Sequence, residues 1–202
     1  FWRELKQAQC RRLITACSGL FVEANAANYA YEAGNSIKLK VDFLNRLGAP
    51  ISMDGLRCNE ASLLFKMPAS LPKNQFSSFE LEVEAPSQIS NPYWLAAAHG
   101  DMYTVKNQQL IGKPENDPLL EVQTTLLIDG IGIPLSIPVK YKWQDRVEGE
   151  QQREVVVTPA YCINFKEPVY IALNGSPVTV DAKIIWFADS GDFNLNFVVD
   201  GW

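Results

Sequence analysis

Histidine is nearly missing from this chain, with His99 the single one among 202 residues. A Ser-His-Asp or Cys-His arrangement would have to use it, and a His-rich zinc site cannot be assembled from one imidazole. Its setting, Trp94-Leu-Ala-Ala-Ala-His-Gly-Asp, predicts a loop or short helical turn, where an exposed or hydrogen-bonded imidazole is the ordinary outcome. Basic runs are also missing. Nothing is longer than the pair Arg11-Arg12 and the formal charge is −5, so a nucleic acid partner has no electrostatic footprint. Long apolar runs are absent too: Ala182 to Ala188 is broken by Lys183, far short of the roughly 20 residues that span a bilayer, so no membrane span is expected. The four cysteines contain no C-x-x-C pair. Cys10 and Cys17, seven apart on an expected helix, lie about 10 Å from each other, beyond disulfide reach. Cys58 and Cys162 fall in what read as separate modules, so free, buried thiols are expected throughout. No Gly-rich phosphate cradle is present, and Asp181 with Asp189-Ser-Gly-Asp192 lacks calcium-loop spacing. No cofactor and no catalytic site are expected in this segment. There is no methionine before Phe1, and an alternating apolar run lies just ahead of Trp202, so the chain reads as a stretch excised from a larger protein.

What is there is ample apolar surface. At 47% hydrophobic and 20% charged the chain should fold, and its length suits two small domains. Residues 1–24 carry the only sustained helical period: Trp2, Leu5, Leu13, Cys17, Leu20 and Phe21 recur at three- and four-residue steps with Arg3, Lys6, Arg11 and Arg12 between them. We expect Trp2, Leu5, Leu13, Leu20 and Phe21 to pack on a domain outside this chain. From Tyr29 the period changes to two. Ile37, Leu39, Val41 and Phe43 alternate with Lys38, Lys40 and Asp42, a half-buried strand. Further strands are expected at Ala61–Met67, Phe79–Glu84, Tyr103–Lys106, Leu120–Ile128, Val139–Trp143, Val155–Val157, Val169–Leu173, Val178–Phe187 and Phe193–Val199, with turns at Asp129-Gly130 and Asn174-Gly175. The polar, proline-bearing run 107–118 reads as a connector. The expected architecture is therefore mainly β: a linking helix (1–24) followed by two small antiparallel Ig-like β-sandwich modules, 25–112 and 113–202. Gly48-Ala-Pro-Ile-Ser52 recurs 84 residues on as Gly132-Ile-Pro-Leu-Ser136, an echo consistent with two related modules.

Binding chemistry is carried by aromatics if by anything. Tyr93-Trp94 and Trp202 have the flat apolar face and polar tip that suit a sugar ring, although Tyr93-Trp94, following Asn91-Pro92, reads first as a loop anchored by buried rings. Trp143 and Trp186 stand on expected strands and are assigned to the core. Glu80, Glu82 and Glu84 alternate along one strand and mark a solvated face at a sheet edge. Glu148, Glu150 and Glu154 surround a hairpin, Arg146 to Arg153, and read as turn residues.

In order and approximate spacing, several runs resemble the region that follows the catalytic domain in large bacterial PIG-L family deacetylases of Bacteroidetes type. They are Leu13-Ile-Thr-Ala-Cys-Ser-Gly-Leu-Phe-Val-Glu-Ala-Asn-Ala, Tyr31-Glu-Ala-Gly-Asn-Ser-Ile, Asn45-Arg46, Asn91-Pro-Tyr-Trp-Leu95, Tyr103-Thr-Val, Leu110-Ile-Gly-Lys-Pro-Glu115, Pro138-Val-Lys-Tyr-Lys-Trp143, Asp145-Arg-Val-Glu-Gly-Glu150 and Val157-Thr-Pro159. The resemblance covers nearly the whole chain. Members of that family remove the acetyl group from N-acetylglucosamine-type substrates with a zinc-dependent His-Pro-Asp-Asp domain, none of which is present here. The resemblance implies an accessory region whose partner is the catalytic domain of the same polypeptide, with glycan as a further partner and a secreted or periplasmic setting. Two other readings stand beside it: a carbohydrate-binding module using the exposed aromatics, and a protein-interaction or adhesion module.

Overall fold

A computed structural model of the chain describes residues 1–58, 69–98, 100–171 and 177–187. The expected strands at Ala61–Met67 and Phe193–Val199, the Asn174-Gly175 turn, Asp189–Asp192, His99 and Trp202 lie outside the described residues.

The chain opens with helix α1 (Trp2–Cys17). Its middle, Glu4 to Leu13, is built from strong helix formers, and its end is set by Gly19 at φ +69. Ser18 N–H donates to the Ile14 carbonyl and Gly19 N–H to that of Ala16. A Cβ at Gly19 would meet Leu47 Cγ at 2.4 Å, so both conformation and space require glycine there. The helix is therefore shorter than the expected 1–24: the apolar period continues past Cys17, but Gly19 releases the backbone, and Leu20–Ala26 forms strand β1.

The strands that follow are β2 (Ala30–Glu32), β3 (Ser36–Asn45), β4 (Ile51–Met53), β5 (Arg57–Cys58), β6 (Ala69–Ser70) and β7 (Phe76–Glu84). After a long connection come β8 (Glu121–Ile128), β9 (Ile131–Asp145), β10 (Gly149–Glu154), β11 (Val156–Thr158), β12 (Tyr161–Phe165) and β13 (Ala182–Trp186). Among the described residues Tyr103–Lys106 and 169–171 are not strands, and of Val178–Phe187 only Ala182–Trp186 is.

The fold is mainly β, as expected, but its pairing ignores the boundary at 112/113. Nine strands join in one sheet whose main path runs β6-β4-β8-β9-β1-β3-β7, with β10 on β9 and β5 on β8. Strands from before the connector thus pair with strands from after it, at β1–β9 and at β4 and β5 with β8. One core serves both halves: Leu39, Val41, Phe43 and Leu81 pack with Val122, Leu126, Val139 and Val157. Nor is the pairing wholly antiparallel, since β1–β9 and β2–β11 are parallel. The two copies of the Gly-x-Pro-x-Ser echo do not start two modules; they lie on opposite sides of β8, with Leu127 facing both Ser52 and Gly132. Gly48 does make its turn, at φ +74, whereas in the second copy the turn belongs to Asp129 (φ 50) and Gly130 (φ 77), the two-residue hairpin that Asp-Gly favours.

Alternation explains the core. Ile37, Leu39, Val41 and Phe43 of β3 are buried, each worth about 1.5–3 kcal/mol on removal from water, while Lys38 and Lys40 face Glu82 and Glu80 of β7. Those glutamates are exposed, and β7 ends the path of the sheet, as their charge suggested. Asp42, though on the polar side, is buried; it accepts from Ser78 Oγ and pairs with Lys40 at 3.0 Å. In β9, Val139 N–H donates to the Leu120 carbonyl beyond the end of β8, so odd positions supply the bonds on that side and Pro134 and Pro138 do not interrupt them. The buried Asn45 ties the β3 end to its surroundings: its Nδ2 donates to the carbonyls of Ala49 (2.8 Å) and Leu71 (2.9 Å), and its Oδ1 accepts from Gly48 N–H (2.9 Å).

Candidate functional site

The connector 107–118 does not extend away from the sheet. It folds back on the loop that carries Tyr93 and Trp94, and side chains hold the two together. Tyr93 N–H donates to Asn116 Oδ1 (2.9 Å), the Tyr93 hydroxyl donates to the Lys113 carbonyl (3.0 Å), and Asn116 Nδ2 donates to the Asn91 carbonyl (2.7 Å). Lys113 is itself fixed by Asp117 at 2.7 Å. On the other flank Ser90 clasps β11, its N–H donating to the Val157 carbonyl and its Oγ accepting from Val157 N–H, both at 2.9 Å. A 3-10 turn over Tyr93–Leu95, entered through Pro92, sets the two rings edge to face with centroids 4.8 Å apart.

This bracing encloses a cleft of about 580 Å³ between the Ser90–Trp94 loop, the Pro114–Leu119 segment and β10. Trp94 lines it, together with the polar side chains of Glu115, Asn116, Gln152, Arg153 and Glu154. Tyr93 anchors the loop through its hydroxyl, and the half-buried Trp94 lines the cleft. Glu154 Oε1 lies 3.6 Å from Lys140 Nζ, while Oε2 is screened from solvent without a hydrogen-bond partner among the described residues. An ionised carboxylate is acceptor-only, so that oxygen keeps its lone pairs unsatisfied. The hairpin reading of Glu148, Glu150 and Glu154 holds only for Glu148; Glu150 and Glu154 stand on β10. The hairpin itself forms, with Asp145 Oδ1 accepting from Val147 N–H (2.7 Å) and Glu148 N–H (2.9 Å), bonds that hold its carboxyl below the usual range.

The aromatics assigned to the core are placed differently. Trp143 is 38% exposed and stacks on Tyr141 with centroids 5.7 Å apart; Tyr141 leans on Tyr29, whose face receives the Arg153 guanidinium at 4.2 Å. The alternation that buries Val139 continues to Tyr141 and Trp143, but among the described residues no second layer covers the end of β9, and pattern alone cannot register that loss. Trp186 is half-buried and stacks on Tyr161 at 5.9 Å across the β12–β13 pair. The opposite face of β9 carries ions: Lys142 meets Glu23 of β1 at 2.6 Å and Glu150 of β10 at 2.9 Å, and the bond to Glu23 raises its pKa.

The expected docking set is split. Trp2, Leu5 and Leu13 are exposed on α1, at 69%, 38% and 63%. Leu20 instead packs against the sheet core from β1, and Phe21, opposite Leu44, lies under the Arg46 guanidinium at 5.2 Å. What approaches the rest of the protein is another side of α1, where Arg3, Gln7, Cys10 and Ile14 share a shallow cavity with Ile131 and Ile133 of the β8–β9 hairpin. At 100° per residue the Trp2-Leu5-Leu13 stripe turns well away from that side.

All four cysteines are free. Cys10 and Cys17 are exposed, not buried as expected, because α1 buries no residue; Cys58 is buried and its thiol is pushed up to about 11 by loss of solvent. Among the described residues no three His, Cys, Asp or Glu side chains gather as a metal site, and no helix is long and apolar enough to cross a membrane. No protein-family model matches the chain, and neither a curated protein nor a solved structure matches it.

Proposed function

We propose that this chain is a non-catalytic glycan-binding β-module, with the cleft beside Trp94 as its ligand site. The observation that carries this reading is the cleft's makeup: one aromatic wall held rigid by Tyr93 and Asn116, facing amide, guanidinium and carboxylate side chains. Sugars ask for that combination, an apolar ring face beside closely spaced hydroxyls. In keeping with the resemblance to the region behind PIG-L catalytic domains, the module would serve as the accessory part of a secreted or periplasmic N-acetyl-sugar deacetylase and hold glycan near that enzyme's active site. Titration with N-acetylglucosamine oligomers while following tryptophan fluorescence tests it. A saturable shift lost in Trp94→Ala supports the reading; no shift at millimolar ligand overturns it.

A second reading, a protein-docking module, draws on α1. Its stripe of Trp2, Leu5 and Leu13 faces solvent while the sheet core is complete without it. The partner that the resemblance implies is the catalytic domain of the same polypeptide. Separately expressed catalytic domain should associate with this chain and should lose that association with Leu13→Glu; association unaffected by Leu13→Glu would remove α1 from the role.

A further inference from the structure

The cleft beside Trp94 continues past β10. Lys140 and Gln152 also line a second cleft, of about 240 Å³, and Asn25 of that cleft lines a third, of about 560 Å³, over β3 and β7. Strand register explains the alignment. Glu154 of β10 stands opposite Lys140 of β9, Lys140 opposite Asn25 of β1, Asn25 opposite Lys40 of β3, and Lys40 opposite Glu80 of β7. Residues paired across a ladder share a face, so they form one row over five strands, about 19 Å from end to end. The row lies on the face away from the core, since Leu39 and Val41, the neighbours of Lys40, are buried.

The two junctions are alike. Gln152 joins the first cleft to the second and Asn25 joins the second to the third, and among the described residues neither side-chain amide has a hydrogen-bond partner. Asparagine is disfavoured in strands, yet Asn25 stands half-buried on β1, in the middle of the row. An amide there both donates and accepts, as a sugar hydroxyl does. No aromatic side chain lines the second or third cleft, so stacking is confined to the Trp94 end and the rest of the row offers hydrogen bonds.

From this we infer that the ligand is a saccharide chain laid across the strands, one unit against Trp94 and the following units along Gln152, Lys140 and Asn25. The inference rests on the glycan reading and adds to it the length of the ligand and its path. Once one ring is held against Trp94, the next rings meet the amides as parts of the same molecule, at high effective concentration.

Calorimetric titration of the full chain with N-acetylglucosamine oligomers from dimer to hexamer tests the inference, with Trp94→Ala, Asn25→Ala and Gln152→Ala alongside and circular dichroism verifying the fold of each. The hexamer should bind at least about thirtyfold more tightly than the dimer, beyond the few-fold gain from a longer ligand's extra registers on one subsite. Asn25→Ala should weaken the hexamer by about threefold to tenfold, the worth of one hydrogen bond, and leave the dimer unchanged. Trp94→Ala should weaken every length. A hexamer that gains no more than the few-fold expected of one subsite overturns the inference and leaves the glycan reading standing. So does a length dependence that survives both Asn25→Ala and Gln152→Ala, or a loss in Asn25→Ala that is equal at every length. If no oligomer of any length binds, the glycan reading falls and the inference with it.

Discussion

In β3, Ile37, Leu39, Val41 and Phe43 are buried to within a few per cent; in α1, Trp2, Leu5 and Leu13 recur just as regularly and stand in solvent. Both segments are amphipathic, and local pattern predicts each correctly as an element. The difference is what meets the apolar face. β3 lies between β1 and β7 and contributes to a core that also draws on β8, β9 and β11, whereas α1 offers a different side, Arg3-Gln7-Cys10-Ile14, to the nearest hairpin. Periodicity specifies which side of an element is apolar, and only tertiary pairing decides whether that side is covered.

The most severe way to probe this contrast is Phe43→Ala. Phe43 is fully buried and meets Phe79 edge to face at 6.0 Å, so its removal leaves a cavity in the part of the core shared by both halves of the chain. We expect a loss of about 3–5 kcal/mol in urea unfolding. The transition should remain single, because residues on both sides of 112/113 pack in one cluster. Two separate transitions would restore the two-module division.

Next comes Asn45→Ala. It removes no apolar surface, yet strands the carbonyl of Leu71 and the N–H of Gly48 and leaves the Ala49 carbonyl with Ile51 N–H alone. A loss of about 2–3 kcal/mol is expected, since unsatisfied buried polar groups cost about 1–3 kcal/mol each and water reaches some of them after the truncation. A smaller effect than that of a surface substitution would mean that the turn at Gly48 holds itself.

Cys58 sharpens the same line between buried and exposed. Burial raises its thiol from 9.0 to about 11, so the protonated form is favoured in the fold while the unfolded chain ionises first. Its contribution is complete below about pH 9 and is lost as the pH rises through about 11. Urea midpoints should therefore fall more steeply across that window in the natural chain than in Cys58→Ala. A thiol reagent near pH 8 should label Cys10 and Cys17 at once and Cys58 only on unfolding. Equal rates at all three would contradict the burial.

Much of this was legible beforehand, for a physical reason: β3, β7, the Asp129-Gly130 turn and the Arg146–Arg153 hairpin are all specified by neighbours in sequence. The exposed glutamates on β7 could likewise be read from alternation alone. What could not be read depends on partners distant in the chain. Leu20–Ala26 carried on the helical period, and its strand state is imposed by β3 pairing along its length. The 107–118 run looked like a linker because it is polar; its Asn116 and Lys113 turn out to brace Tyr93. Trp94, picked out by ring chemistry, lines the cleft, but the position of Glu154 was hidden, since nothing local tells which oxygen of a strand glutamate ends up screened.

The smallest effect is expected where the apolar stripe has no partner. Trp2→Ala and Leu13→Glu change exposed side chains on a helix that has no buried residue, so either should change stability by no more than about 0.5 kcal/mol, measured on dilute chain by urea unfolding. That near-silence is itself informative. A residue kept apolar at 63% exposure contributes almost nothing to this fold, so any function of the stripe must show up against another surface. If α1 is the docking face proposed above, Leu13→Glu should be silent in the isolated chain and disruptive only in the presence of the proposed partner domain. A loss of 2 kcal/mol or more in the isolated chain would instead show that α1 packs on its own sheet in solution, and the contrast between helix and sheet would vanish.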